Sequence, residues 1–456
     1  FLTFKKVVII IFYILPLFIA LIVSLSYPQL SLYSFFGIAF SISLALQLFH
    51  KFDKKIPIKR LIAFVATLQW VIAPLFSYYV YDTSDFYYMV IPEADYMAYA
   101  VPATIAYFIG MIISLNPQES IQLRLNENLK GIENRAYLIS RGDFLFRAGF
   151  LIYLANTFLG GIGFAFFLLS KLMIIGAFYL YLAKKRGRYL YMLAALAPIF
   201  IAVGESSVFH DLLLWGGFFV IIIAFVNQIG FMKKIFLVAL ILISVGFIHL
   251  IKADYRASLK SEVAVDRTEL ITSVVEEKLS ETGDHRTYIQ TFVDRINQGW
   301  IIARVMNYVP AYEDFADGET VIEAIKAALL PRFLAPNKIE SGGYYFERFT
   351  GWNLGGASMN IALLGEAYAN YGKFGGIVFM FFMGLFFNLF FIIFNKWSRK
   401  RPELLLWIPF LFLYVIKAED DLVTLLNYFI KSIIILVIVF YFLERIFKIG
   451  INQRNS

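Results

Sequence analysis

The chain has 456 residues, of which 60% are hydrophobic, 18% aromatic and only 16% charged, and its formal net charge is +8. This balance lies far outside that of a soluble domain and predicts an all-α integral membrane protein with many spans. The positive residues sit mostly in short connectors, where lipid head groups and topology account for them, so nucleic-acid binding is a poor interpretation. The absence of cysteine excludes disulfides, thiolate nucleophiles and cysteine-ligated metals.

Apolar runs that can cross a bilayer recur along the chain. The first follows Lys5 and Lys6, and it is too long for a typical signal-peptide core, so we expect a retained first span. Twelve spans are predicted, over residues 7–26, 31–49, 61–79, 97–115, 144–159, 163–183, 189–203, 208–227, 235–251, 374–395, 404–416 and 422–443. The fifth, seventh and eleventh are shorter than the roughly 20 residues that a bilayer requires, so they should extend into flanking residues or be broken.

The connectors test this count, because cytoplasmic connectors carry an excess of Lys and Arg. Alternate connectors are basic, and they lie within residues 51–60, 124–141, 184–188, 233–234 and 396–401. The intervening connectors are acidic or neutral, for example residues 82–95 and 419–421. Both termini are therefore predicted to be cytoplasmic, and the long polar stretch after the ninth span is predicted to be extracytoplasmic.

That polar insertion, residues 252–358, separates residues 1–251 with nine spans from residues 359–456 with three spans and a cytoplasmic tail. It is the one stretch with enough polar chain for a sizeable extramembrane site. Apolar residues at helical spacing predict short helices over 269–279 and 292–308. The Pro and Gly residues of 330–356 predict a shaped loop.

The cations of the insertion are its first candidate functional groups. Lys252, Arg256 and Lys260 recur every four residues and would share one helical face. Outward-facing arginines suit fork-like recognition of phosphate or diphosphate. The insertion is also rich in Asp and Glu, so a surface ion pair is the simpler interpretation for any single arginine. For Arg256 and Arg332 both interpretations stay open.

Two residues are candidate proton acceptors. His285, beside Arg286 in the insertion, could activate a sugar hydroxyl, although an exposed loop histidine is more often plain surface. Glu366 sits near the outer end of the tenth span, where a lone carboxylate is costly. It would act as a base or orienting group, or simply pair with Lys373 or a loop arginine.

Two outer connectors carry further candidates. Lys417 and the acidic residues 419–421 could bind a divalent cation, yet a solvated helix start at Asp421 is the commoner explanation. The rings of the 82–99 connector, such as Phe86, could stack on sugar faces, whereas an interfacial aromatic belt predicts the same residues. A Gly-rich phosphate loop, a zinc-protease motif and a nucleophile elbow are all missing from the sequence, which weakens nucleotide-driven pumping and common hydrolase classes.

Several segments resemble bacterial oligosaccharide repeat-unit polymerases of the Wzy type. These segments are Asp317-Gly-Glu-Thr320, Leu330-Pro-Arg-Phe-Leu-Ala-Pro-Asn-Lys338, Phe349-Thr-Gly351 and Gly365-Glu-Ala-Tyr-Ala-Asn-Tyr-Gly372, and Lys252-Ala-Asp-Tyr-Arg256 also fits. The family is polytopic with a large periplasmic loop late in the chain, so the resemblance in layout covers nearly all of this protein. It implies a GT-C-like bundle in the bacterial inner membrane.

The resemblance also implies an activity. Family members transfer a growing glycan from undecaprenyl diphosphate to the non-reducing end of a new lipid-linked repeat unit, and they resemble metal-independent inverting glycosyltransferases. It therefore implies no cofactor and no metal. The implied partners are undecaprenyl-diphosphate-linked oligosaccharides, membrane lipids and a chain-length regulator protein, with no nucleic acid.

By the same resemblance, particular residues receive roles. Arg256 and Arg332, supported by Lys252 and Lys338, would hold the lipid diphosphate and stabilise its charge as it leaves. Glu366 or His285 would help to deprotonate the acceptor hydroxyl. Further substrate-binding candidates are Tyr255, Arg348 and Lys417. One departure is the outer turn at residues 204–211, which lacks the arginine that the family often has there.

Two alternative functions stay open. An O-antigen ligase would use a similar fold with a lipid A-core or protein acceptor. A transporter or lipid-linked glycan flippase would also have about twelve spans, but internal repeats and uniformly short loops would favour it, and this sequence has neither.

Overall fold

The computed structural model describes residues 10–53, 56–83, 85–114, 135–159, 164–206, 210–240, 293, 296–330, 339, 343–353 and 359–449. All regular secondary structure in these ranges is helical, which agrees with the predicted all-α class. The α-helices are α1 (Leu15–Ser26), α2 (Leu32–Lys51), α3 (Ile58–Thr67), α4 (Ala73–Val80), α5 (Glu93–Ile112), α6 (Arg135–Phe158), α7 (Phe164–Ser170), α8 (Leu172–Leu182), α9 (Arg188–Ser206), α10 (His210–Asn227), α11 (Gly299–Tyr308), α12 (Glu319–Leu329), α13 (Gly343–Thr350), α14 (Ala362–Lys400), α15 (Ile408–Ile416) and α16 (Leu422–Tyr441). Short π-helical turns precede α1, join α3 to α4 and follow α16, and a 3-10 turn precedes α15.

The apolar helices fit the predicted spans. Five helical stretches in the described part of the chain are long and apolar enough to cross a membrane: Leu32–Lys51, Ile58–Val80, Phe164–Leu182, Ala362–Lys400 and Leu422–Ile446. Shorter apolar helices cover Ile10–Ser26, Arg188–Ala202, Asp211–Asn227 and Pro402–Ile416. All nine coincide with predicted spans, and the chain is compatible with a helical membrane protein. The full count of twelve stays a prediction, because the helices at the fourth and fifth predicted spans are not among these nine and most of the ninth span lies outside the described residues.

Two compact units contain these helices. One comprises Phe1–Asn126, Ile296–Leu404 and Leu411–Ile434, and the other comprises Glu127–Arg295, Leu405–Phe410 and Ile435–Ser456. The described insertion residues from 296 onward therefore pack with the first unit.

A close seam between α5 and α14 lies in the first unit. A Cβ atom added at Gly110 would overlap the carbonyl oxygen of Phe381, and one added at Gly384 would overlap that of Tyr107. Small residues that let backbones approach this closely are typical of packed membrane helices. One turn after Gly384, Asn388 Nδ2 of α14 donates to the carbonyl oxygen of Gly110 at 3.1 Å.

The long helix α14 is interrupted at Gly372. This residue has φ +63° and ψ −165°, a conformation that glycine adopts readily because it lacks a Cβ atom. A Cβ atom there would lie 3.1 Å from the ring of Phe315. Residues 362–371 thus form a short helix of their own, and the predicted tenth span begins just after the break.

The described part of the insertion contributes three helices to the first unit. The predicted helix over 292–308 is confirmed for its C-terminal part as α11, whereas the helix predicted over 269–279 lies outside the described residues. Helix α12 was not predicted. The loop predicted over 330–356 is wrong at α13, because Tyr345, Phe346 and Phe349 bury one face of a short helix despite the surrounding glycines.

The second unit has a glycine-mediated contact of the same kind. Cβ atoms added at Gly149 and Gly176 would collide with the backbone at Met173 and Phe146, respectively, so α6 and α8 pack with little space between them. Buried Arg141 pairs with Glu444 at 3.2 Å.

Candidate functional site

Glu366 lies at the centre of a buried hydrogen-bond network in the first unit. Its side chain is 0% exposed. One carboxylate oxygen accepts a bond of 2.5 Å from Thr320 Oγ1, and the other accepts a bond of 2.7 Å from the backbone N–H of Leu422. The carboxylate therefore joins the first turn of α12 to the start of α16 and has a donor for each oxygen. Pairing with Lys373 or a loop arginine, one of the alternatives from the sequence, is not formed among the described residues.

Asn370 completes this network. Its Nδ2 donates to Thr320 Oγ1 and to the carbonyl oxygen of Glu366, both at 2.8 Å. Its Oδ1 accepts from the backbone N–H of Gly318 at 3.0 Å. The backbone N–H of Asp317 also donates to the carbonyl oxygen of Asn370. Every polar atom of this amide is thus used to hold the 316–320 turn against the short helix 362–371.

The local sequence explains how Thr320 reaches the network. Gly318 has φ +92° and precedes the first residue of α12, and Asp317 has φ +43°. An Asp-Gly pair tolerates such left-handed conformations and reverses the chain sharply. The reversal places Thr320 in the first turn of α12, pointing at Glu366.

The turn between α15 and α16 lies against the same network. Asp421 Oδ1 accepts from the backbone N–H of Thr424 at 2.8 Å, so the predicted helix start at Asp421 is confirmed. The carboxylate is completely buried, however, and not solvated. Trp70 anchors the turn by donating from Nε1 to the carbonyl oxygen of Ala418 at 2.9 Å.

Asp420 is a second buried carboxyl group in this turn and is only 7% exposed. Its Oδ1 accepts from Asn360 Nδ2 at 3.2 Å, and within the described ranges no hydrogen-bond donor reaches Oδ2. Burial raises the pKa of Asp420 well above its usual range, although the positive charge of Lys417 acts in the opposite direction. Lys417 is itself buried, with Nζ 4.2 Å from the centre of the Tyr414 ring.

Tyr345 of α13 adds a donor at the edge of this region. Its hydroxyl donates to Glu323 Oε2 at 2.5 Å. Burial, followed by this hydrogen bond, raises the pKa of Tyr345 far above its usual value, so the phenol stays protonated. With Glu366, Asp420 and Asp421 close by, the described surroundings are rich in acidic groups. Such acidic surroundings favour the binding of hydroxyl groups over the binding of a negatively charged diphosphate.

Arg348, a predicted substrate-binding residue, is already paired. Its Nε lies 2.7 Å from Glu313 Oε1 and its Nη2 lies 2.9 Å from Glu319 Oε2. Burial alone would lower the pKa of Arg348, but the hydrogen bonds to the two carboxylates raise it. The guanidinium therefore clamps α13 to the start of α12, and its contact with substrate stays a prediction.

Of the other predicted site residues, only Lys417 lies in the described part of the chain. Glu366 is linked through Leu422 to the turn that carries Lys417. The remaining candidates, which lie outside the described residues, are Lys252, Tyr255, Arg256, His285, Arg332 and Lys338. Thr320 and Asn370 were not predicted as site residues, although both fall within segments that carry the family resemblance.

Comparisons with known proteins add no relative. No family model matches the chain, and no curated protein or solved structure is significantly similar to it. Within the described ranges, no group of three or more His, Asp or Glu side chains is arranged to hold a metal ion.

Proposed function

We propose that this protein polymerises undecaprenyl-diphosphate-linked oligosaccharide repeat units into a surface polysaccharide on the extracytoplasmic face of the bacterial inner membrane. In the transfer, the bond between the anomeric carbon of the growing glycan and the diphosphate oxygen breaks. A new bond forms from that carbon to an acceptor hydroxyl oxygen of the next lipid-linked unit. The hydroxyl proton passes to a base, and undecaprenyl diphosphate leaves.

One observation carries the proposal. The segments Asp317 to Thr320 and Gly365 to Gly372 are separate parts of the family resemblance, and buried side-chain bonds among Thr320, Glu366 and Asn370 join them. Buried polar networks of this kind are costly unless every member is satisfied, and these three residues satisfy one another. The two segments therefore act as one structural element, which supports a shared role at the base of the insertion.

The network also indicates which of the proposed roles Glu366 takes. Because both oxygens of Glu366 accept hydrogen bonds from the protein, we assign Glu366 to positioning, which favours His285 as the proton acceptor. Binding of the diphosphate is assigned to Arg256 and Arg332, with Lys252 and Lys338 in support. This division is consistent with the acidic surroundings of Glu366, which would repel a diphosphate.

Purified protein in detergent tests the activity directly. With undecaprenyl-diphosphate-linked repeat units as the substrate, we expect a ladder of longer lipid-linked glycans on a gel, and no ladder from Arg256→Ala or Arg332→Ala. The matched control is Glu347→Gln, which alters an exposed residue of α13 and should leave the ladder intact. A full ladder from both arginine variants would remove those residues from the mechanism.

Product analysis separates the alternatives. Deletion of a polymerase leaves short-chain surface glycan, whereas deletion of a ligase leaves unattached full-length polymer. Elongation in detergent, without a membrane or an ion gradient, cannot come from a flippase. Absence of elongation together with translocation of the lipid-linked unit in liposomes would overturn the proposal.

A further inference from the structure

An aromatic cluster lies where the connector between α4 and α5 meets the insertion. We define the outer aromatic cluster as Phe86, Tyr87, Trp300, Phe346 and Trp352. The Phe86 ring centre lies 5.0 Å from that of Trp300 and 5.9 Å from that of Trp352. Trp300 is buried, whereas Phe86 is 44% exposed. The cluster therefore has a packed floor and an open apolar surface.

Arg304 of α11 lies across this cluster. Its guanidinium carbon is 3.6 Å from the centre of the Trp352 ring and 5.4 Å from that of Trp300. Nη2 donates to the carbonyl oxygen of Phe86 at 3.2 Å. Stacking and this bond fix the plane of the guanidinium, so its remaining N–H groups are preorganised.

Arg304 and Arg348 differ in whether carboxylates pair with them. Arg348 is neutralised by two carboxylates, whereas Arg304 has no carboxylate partner among the residues that the structure describes. Its Nε atom is buried without an acceptor in the same set of residues. A guanidinium without a described carboxylate partner, held beside an exposed ring, matches the chemistry of a sugar, which presents an apolar ring face and a rim of hydroxyl oxygens.

We propose that the outer aromatic cluster and Arg304 form a binding subsite for a sugar ring of the glycan, which stacks on Phe86 and accepts hydrogen bonds from Arg304. The inference rests on the proposed function for the identity of the glycan. The subsite differs from the proposed diphosphate site in the residues that it uses, an arginine of α11 and an aromatic surface. From the sequence, the connector rings suit either stacking on sugar faces or an interfacial belt, and a belt does not account for the orientation of Arg304.

The test titrates the purified protein with the repeat-unit oligosaccharide released from its lipid, and it follows tryptophan fluorescence. We expect Phe86→Ala and Arg304→Lys each to weaken binding by about tenfold, which corresponds to about 1.4 kcal/mol. Arg304→Lys keeps the charge but loses the planar fork. Tyr344→Ala is the matched control, since Tyr344 is 55% exposed on α13 and outside the cluster. It should bind the oligosaccharide as the unaltered protein does.

The outcomes distinguish this inference from the proposed function. Unaltered oligosaccharide binding by both variants overturns the subsite, even if the protein elongates lipid-linked units. Arg304-dependent binding of undecaprenyl diphosphate that carries no sugar also overturns it. Weakened binding in both variants supports the subsite even if no elongation is seen. A thermal unfolding midpoint of Arg304→Lys in detergent that equals that of the unaltered protein shows that the variant is folded.

Discussion

Glu366 accepts hydrogen bonds from two segments that lie far apart in the chain, and this property decides what its loss would do. The donors are a threonine hydroxyl of α12 and the first backbone N–H of α16. The sequence indicated that Glu366 needed a partner, because a lone carboxylate near a span is costly. It could not indicate Leu422, because a backbone donor has no signature in the sequence.

We expect Glu366→Ala to lower thermal stability strongly. The change leaves Thr320 Oγ1 and the Leu422 N–H without an acceptor, at a cost of about 1–3 kcal/mol for each buried donor. Thermal unfolding in detergent should show a large fall in Tm, and a smaller one for Glu366→Gln, whose amide still offers one acceptor. Glu347→Ala, on the exposed face of α13, serves as the control. An unchanged Tm for Glu366→Ala would contradict the network.

Asp420 gives a pH-dependent prediction. Because its pKa is raised above the ordinary value of about 3.9, the folded protein holds this proton more tightly than the unfolded chain does. The stabilisation is complete below about pH 3.9 and is lost as the pH rises towards the folded-state pKa. We therefore expect Asp420→Asn to match the unaltered protein in acid and to be increasingly more stable than it towards neutral pH. A Tm series across this range would show a constant difference if Asp420 titrated normally.

At the scale of elements, the break in α14 positions the network. The short helix 362–371 carries Glu366 and Asn370, and the span after Gly372 packs on α5. The sequence predicts that the tenth span begins at residue 374, close to this break, because the hydropathy of the chain rises there. It missed α12 and α13, since short helices that bury one face against a bundle depend on that bundle and not on their own propensity.

Gly372→Ala should destabilise the protein by about 1–3 kcal/mol, because a residue with a Cβ atom is strained in this conformation and would press on Phe315. Gly365→Ala provides the comparison within the same segment. A Cβ atom there meets its nearest neighbour at 3.5 Å, and alanine favours a helix more than glycine does. We expect a lower Tm only for Gly372→Ala. Equal Tm values for the two variants would contradict the inference that the helix break at Gly372 requires glycine.

At the scale of the whole molecule, the connectors predict which end of the bundle faces the cytoplasm. In the first unit, Arg304 of the insertion bonds to Phe86 of an acidic connector, and Lys59 of a basic connector bonds to Asn388. The Arg304 bond thus joins two segments that are both predicted to be extracytoplasmic, as alternation requires. Which set of connectors is cytoplasmic is predicted from the Lys and Arg bias alone.

The lack of cysteine allows a clean test of that direction. In intact cells, Thr83→Cys should react with a membrane-impermeant maleimide, whereas Arg186→Cys should react only after permeabilisation. Both positions are exposed, and the unaltered chain supplies no background thiol. The reverse labelling pattern would place the insertion in the cytoplasm and remove the basis for an extracytoplasmic activity.

The seam between α5 and α14 restricts how a lipid reaches the outer surface. Their backbones touch at Gly110 and Gly384, so not even a methyl group fits between them there. A polyprenyl tail therefore cannot slip between these two helices. The seam is closed at this point, so the proposed lipid-linked substrate would have to enter between a different pair of helices.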